Sequence, residues 1–167
     1  MTRLLAGIGL ALLAACSPQN AAQATIGADA VAVTETAAPT VHPESGLPII
    51  PLTVISGTEK IGFRVEVAQT PQQQSRGLMF RTQLDDFAGM IFPYRVPQML
   101  GFWMKNTPLP LDIIFIDEDR RIINIAAQTT PYSLDSVYSE RPAMAVLEIA
   151  GGRAAQLGIN PGDKVEW

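Results

Sequence analysis

The chain is nearly devoid of two residues on which much enzyme chemistry depends: of its 167 residues, one is cysteine and one is histidine. Cys16 closes an N-terminal apolar stretch, and His42 falls in an Ala-, Thr- and Pro-rich segment, so neither is expected in the folded core. On that reading the core has no disulfide, no thiol nucleophile and no thiolate metal ligand. It also has no imidazole to act as general base or zinc ligand. Ser–His catalysis, Cys–His catalysis and the usual zinc hydrolysis are thereby excluded. Basic charge is scarce as well: 12 Lys and Arg face 16 Asp and Glu, for a net charge of −4. A nucleic-acid partner is not expected, because phosphate binding wants a basic surface. No Gly-rich phosphate loop and no carboxylate cluster with metal-ligand spacing occurs, so neither cofactor nor metal is expected.

A long apolar run is missing too. Residues 4–15, behind the single charge of Arg3, are apolar or small, but a membrane-spanning helix needs about 20 such residues. The stretch has the length of a signal-peptide apolar region. Leu13-Ala14-Ala15-Cys16 resembles the lipobox of bacterial lipoproteins, in which the cysteine thiol takes a diacylglyceryl group and becomes the new N-terminus. The alternative is an ordinary signal peptide with a cysteine near its cleavage site. Two or three acyl chains give a stable anchor where one binds only marginally. In such lipoproteins an aspartate after the cysteine tends to mark inner-membrane retention, so Ser17 implies the periplasmic face of the outer membrane in a diderm cell. Residues 17–46 contain no aromatic, no Lys or Arg, and only Asp29, Glu35 and Glu44 as charges. Such a segment cannot bury enough apolar area to offset the entropy of ordering it. The expected organisation is a signal peptide over 1–15, a lipidated cysteine with flexible tether over 16–46, and one globular domain over 47–167.

All 6 Phe, 3 Tyr and 2 Trp lie from Phe63 onward, which places the core there. Ile61, Phe63, Val65 and Val67 alternate with Gly62, Arg64, Glu66 and Ala68, the period of a half-buried strand. Thr70 as N-cap, Pro71 in the first turn and Gln73 closing a capping box predict a helix that Gly77 stops. The apolar 111–117 segment (LDIIFID) reads as a central strand, and 121–127 as its hairpin partner. A further buried strand is predicted over 144–149, and a short helix over 152–157. Pro161-Gly162-Asp163 predicts a turn into a last strand over 164–167. Short strands, few helices and no βαβ alternation predict a mainly β (α+β) fold: a compact antiparallel barrel or sandwich with one or two short helices.

Several of these segments form a known pattern. FRVEVA (63–68), Thr70-Pro71, RGLMFR (76–81), GMIF (89–92), FWMKNT (102–107), PLDIIFID (110–117) and VLEIAG (146–151) together resemble the family called domain of unknown function 192. The likeness runs from about residue 59 to 166, and FWMKNT followed by PLDI is its most specific part. It implies a small β-rich domain, often exported, without an agreed activity. Two departures stand out: Gln72-Gln73-Gln74 where members often carry Glu-Glu-Arg, and Asp119-Arg120 where they usually carry an Asp-Gly turn.

FWMKNT is also the most informative stretch chemically. Pro108 and Pro110 force extended backbone before them, so Trp103 and Lys105 share one side and Phe102, Met104 and Asn106 the other. Trp103 beside Lys105 offers an apolar ring face with a charge-assisted donor, suited to a polar or anionic ligand; Arg76 and Arg81 are candidates for the same patch. The competing structural reading buries Trp103, pairs Lys105 with Asp112 or Asp117, and has Asn106 bonding loop backbone. Asp112 and Glu148 sit in apolar strands, where a carboxylate needs a partner or a purpose. As a pair they would suit acid–base hydrolysis of a glycosidic bond. Met79, Met90, Met99 and Met104 suggest Cu(I), but without His or Cys support they read as core filler. The expected function is therefore a non-catalytic envelope module. It would bind a polar ligand or another envelope protein through Arg76, Arg81, Trp103, Lys105, Asn106 and Asp112, with a carboxylate hydrolase or a structural partner as alternatives.

Overall fold

The structure, a computed structural model, describes residues 40–167. The expected signal peptide, Cys16 and the tether up to residue 39 lie outside the described residues. Ten strands and two short helices follow in order: β1 (Thr40–Val41), β2 (Pro48–Ser56), β3 (Glu59–Val67), α1 (Pro71–Arg76), β4 (Ala88–Gln98), β5 (Gly101–Phe102), β6 (Leu111–Ile116), β7 (Ile122–Ala126), β8 (Val137–Tyr138), β9 (Ala143–Ala150), α2 (Arg153–Gln156) and β10 (Lys164–Glu166). Seven strands form a sheet in the order β1-β2-β3-β4-β9-β6-β7, and β10 adds to β2. The other side of β10 meets the start of β7, where Val165 N–H donates to the Arg120 carbonyl and Ile122 N–H to the Asp163 carbonyl. β10 thus links the two ends of the sheet and curls it into a half-barrel. The mainly β class expected from the sequence is what the chain adopts.

Two cores lie on the two faces of this sheet. Leu52, Val54, Phe63, Val65, Ile91, Ile114, Leu147 and Val165, drawn from strands all round the curl, fill its inside. The outer face of β4, β9 and β6 carries Met90, Phe92, Ile113, Phe115 and Val146, covered by Leu78, Leu100 and Met104 from the loops. These three strands are therefore buried on both sides, the physical reason 111–116 reads as an unbroken apolar run.

The predicted helix start is present in full. Thr70 Oγ1 accepts from Gln73 N–H, the Gln73 side chain accepts from Thr70 N–H, Pro71 opens the helix, and Gly77 ends it at φ 47°. Gln74, in place of the family's arginine, donates its amide to the carbonyls of Ala68 and Pro93 and so ties α1 across β3 and β4.

Two features differ from expectation. β3 and β4 pair in parallel, joined by a crossover through α1, whereas the sequence showed no βαβ alternation; a helix this short leaves almost no periodic signal. Residues 40–46, expected to end the tether, fold onto the domain: β1 pairs β2, His42 N–H donates to the Leu47 carbonyl, and Gly46 N–H to the His42 carbonyl.

Candidate functional site

Register fixes the floor of a cavity. Glu148 on β9 stands opposite Met90 of β4 and Ile113 of β6, so its side chain belongs to the outer face of the sheet. β4 can run this close to it only because Gly89 has no side chain: a Cβ there would meet the Glu148 carbonyl oxygen at 2.4 Å. Above Glu148 opens a cavity of about 320 Å³ walled by Phe92, Tyr94, Phe102 and Trp103, with Arg76 on its lining. Phe92 and Phe102 meet edge to face at 5.0 Å, a favoured aromatic geometry. The end of α1 reaches the same place because Gly77 packs on the Phe92 ring. Four of the segments that carry the family resemblance, around Arg76, Phe92, Trp103 and Glu148, thus converge on one cavity.

Asn106 holds two of these segments together. It takes φ 56°, a left-handed conformation that asparagine tolerates. Its carbonyl accepts from Phe80 N–H at 2.8 Å, and its side-chain amide reaches Met79 Sδ at 3.8 Å. Asn106 is therefore a tie between the loop carrying Trp103 and the turn after α1.

The Glu148 carboxyl is unusual. The residue is only 5% exposed, and among the described residues no group donates a hydrogen bond to its carboxyl oxygens. Among the described residues no sealed side-chain oxygen lacks a partner, so those oxygens open to the cavity. Burial pushes the Glu148 acid up to about 8 from the usual 4.5. At neutral pH it holds its proton and can donate a hydrogen bond. The Tyr94 phenol beside it is also pushed up, first by burial and then by the Glu148 charge.

The expected ligand patch divides. Trp103 is 46% exposed rather than core and lines the Glu148 cavity with Arg76; Lys105 lies 5.1 Å from its ring centre, brought there by a turn at 105–106 rather than by the extended backbone expected. The competing placement of Trp103 in the core does not occur. Neither does a Lys105 pair with Asp117, which bonds Arg141 at 2.9 Å.

Arg81 and Asp112 belong elsewhere. Arg81 is buried against Glu66 at 2.9 Å, with Glu44 at 2.9 Å and the His42 ring at 3.2 Å. These groups line a second cavity of about 670 Å³, on whose edge the folded segment 40–46 lies. Here His42, assigned to the tether by composition, is an imidazole at a domain cavity; its contacts come from residues far along the chain and leave no local signal. Glu66, expected outward, is buried under this segment, where the Ser45 hydroxyl donates to it.

Asp112 is fully buried and accepts three backbone N–H bonds at 2.8 Å, from Gln128, Gly152 and Ala154. It pairs with Ile149 in register, one residue from Glu148, so the two carboxylates point to opposite faces of the sheet. The proposed hydrolytic pair is not assembled. The methionines do different work: Met90 and Met104 are core, Met99 is exposed, and Met79 accepts from Asn106. Among the described residues, no group of three His, Cys, Asp or Glu is placed to hold a metal.

Sequence reasoning singled out Glu148 through its place in an apolar run but gave it the wrong companion. Phe92 and Tyr94 were not recognised as cavity walls.

The comparisons with known proteins agree with this architecture. The model of the domain of unknown function 192 family, described as an uncharacterized ACR, matches residues 53–167. No curated protein matches the chain. The crystal structure of a protein of unknown function from Novosphingobium aromaticivorans DSM 12444 is similar at 56% identity and TM-score 0.77, covering 80% of this chain and 95% of that one. A Sinorhizobium meliloti 1021 protein, given the provisional description of a transcription regulator, is similar at 35% identity and TM-score 0.70, covering 72% of this chain and 94% of that one. By the family match over most of its length and by these relatives, the chain belongs to the domain of unknown function 192 family.

Proposed function

We propose that this chain is an exported, lipid-anchored envelope protein whose β-domain is a non-catalytic binding module for a small polar ligand, held in the Glu148 cavity. One observation carries the ligand site: a buried acid that finds no hydrogen-bonding partner among the described residues, open to an aromatic-walled cavity of about 320 Å³. An unpaired buried carboxyl costs several kcal/mol relative to a packed apolar side chain, and a ligand that engages it supplies the missing partner. A cavity of this size, in which aromatic rings stand among polar groups such as Gln74, Ser75, Arg76 and Thr107, suits a small polar molecule. The anchor rests on the leader and on Leu13-Ala14-Ala15-Cys16. Transcription regulation, the provisional description of one relative, finds no support in a chain of net charge −4.

A thermal-shift screen of the chain against glycans, peptidoglycan fragments, organic acids and amino acids tests the ligand site. A ligand at about a hundred times its dissociation constant adds about 2.7 kcal/mol, a rise of several degrees, and Trp103→Ala and Glu148→Gln should each abolish the rise. A ligand whose shift survives both substitutions binds elsewhere and removes this reading. Incorporation of a labelled fatty acid in cells, lost in Cys16→Ser, tests the anchor separately.

A second reading has its own observation. Trp103, Tyr132, Leu134 and Tyr138 are exposed and lie on neighbouring segments, since β5 pairs β8 and Met104 N–H donates to the Ser133 carbonyl. Such a surface suits an envelope-protein partner, which in-cell crosslinking from Tyr132 or Leu134 would capture.

A further inference from the structure

We propose that the ligand of the Glu148 cavity is a small zwitterion, its primary ammonium group on the Glu148 carboxylate and its anion toward Arg76 and Lys105 at the mouth. The inference rests on the reading of this cavity as a binding site and names the chemistry that would fill it. The charges are arranged in depth. At the floor is one acid, buried and without a donor. At the rim is one cation, exposed Arg76, part of the cavity lining; a second, exposed Lys105, is not in the lining but stacks on the ring of Trp103, which is, at 5.1 Å. Between floor and rim stand Phe92, Tyr94, Phe102 and Trp103.

Simpler ligands use less of this arrangement. A plain anion could meet the rim cation and accept a hydrogen bond from the acid while it is protonated, but it is repelled by the ionised form and so should lose affinity as pH rises toward 8, the opposite of a ligand with an ammonium group. A neutral polyol could bond the protonated acid, but it leaves both cations unused. An ammonium group satisfies the acid with a charge-assisted bond, and the aromatic faces around it add attraction for a cation. An anion on the same molecule then meets the guanidinium and the lysine. The charges of Glu148, of the ligand's two groups and of Arg76 cancel, with Lys105 as one further cation beside Trp103, and the volume admits a molecule of amino-acid size.

Binding must then move a proton. The free protein holds Glu148 protonated at neutral pH. When the ammonium group docks, the O–H bond of the acid breaks, the electron pair stays on the carboxylate, and the proton leaves to buffer. The ligand keeps its three N–H bonds, so charge and atoms balance.

Titration calorimetry of the full chain in detergent, at pH 7 in phosphate and in Tris, reads this directly, because the two buffers absorb a released proton with different heats. The probes are glycine, both enantiomers of alanine, lysine and phenylalanine, and O-phosphoethanolamine, with the N-acetyl and methyl-ester forms of each amino acid. At least one free zwitterion should bind with release of about one proton. Acetylating its amine should weaken it by roughly 30-fold or more, the cost of truncating a buried charge pair, and masking its acid, which meets exposed cations, by roughly 2- to 5-fold. An amino acid as the binder assigns the anion as a carboxylate, and O-phosphoethanolamine assigns it as a phosphate. Glu148→Gln, which removes a desolvated acid without changing its shape, should stay folded and lose both affinity and proton release.

An N-acetyl form that binds as well as its parent, or binding without proton release, overturns the zwitterion while leaving the cavity as a binding site. Silence from every zwitterion beside a glycan or organic acid that binds through Trp103 does the same. If no ligand of any class responds to Trp103→Ala or Glu148→Gln, the underlying reading of the cavity falls with it.

Discussion

Asp112 and Glu148 show how one functional group, the carboxyl, can hold two opposite roles a single position apart in register. The Asp112 carboxylate is buried like that of Glu148, but three backbone N–H groups donate to it, from the segment after β7 and from the start of α2. Asp112 is thus a knot that fixes the β6–β7–α2 corner, not a reactive group. Asp112→Asn puts an NH₂ where one of these N–H groups must find an acceptor. A charge-assisted bond of this kind is worth about 1.5–3 kcal/mol, so a loss of about 3 kcal/mol or more is expected in a urea titration. The folded fraction should keep its ligand affinity. A variant of unchanged stability that no longer binds would show the residue to be functional instead. The sequence marks Asp112 as anomalous, because a carboxylate in an apolar strand is rare. It is silent on the answer, because the partners are backbone amides that any residue could supply. Arg81 was likewise visible as a cation near the motif, yet its partners Glu66, Glu44 and His42 are remote in sequence, and only the fold brings them together.

The elements that were legible are those whose signal is local. The α1 capping box, the continuous apolar run of β6 and the turn before β10 each follow from residues within one segment. β4 was quoted only as the motif GMIF, and its full length was hidden. It contains Pro93 and Pro97, which ordinarily demote a strand; it tolerates them at its far half, where pairing with β9 becomes irregular between Pro93 and Gln98. β5 and β8 are two-residue strands that pair only with each other, too short for any period. Arg120 shows a departure absorbed: where the family usually has glycine, it adopts φ 60° and stacks over Trp167 at 4.1 Å, so the hairpin survives. Gly89 tests the element that positions the floor of the cavity. Gly89→Ala drives a methyl group onto the Glu148 carbonyl oxygen and must part β4 from β9, costing about 3 kcal/mol or more and spoiling the cavity. Gly62→Ala on β3 is the control, since nothing lies within 4 Å of its Cβ position; it should be neutral or stabilise by about 0.5–1 kcal/mol. Equal tolerance at both positions would mean that β4 and β9 are not held in this register.

For the whole molecule, the buried acid makes stability depend on pH in an unusual direction. Folding raises Glu148 from its ordinary 4.5 to about 8. Between those values the native state keeps a proton that the unfolded chain has lost. Native protein therefore binds more protons than unfolded, and stability must fall as pH rises across this window, by up to about 1.4 kcal/mol per pH unit. Glu166 acts the other way: its bond to Lys164 holds it below the usual carboxylate range. Its contribution is present above its ordinary value and lost in acid, outside the Glu148 window. Urea midpoints from pH 5 to pH 8 should accordingly decline in the wild type. In Glu148→Gln the decline should flatten, leaving the variant the more stable protein at pH 8. The difference between the two curves isolates Glu148 from every other group that titrates in the same range. A cationic ligand selects the ionised acid, so its stabilising effect should grow over the same interval and level off near pH 8. Parallel curves for the two proteins would mean that the acid finds a partner in solution, and the cavity floor would then carry no unmet charge for a ligand to satisfy.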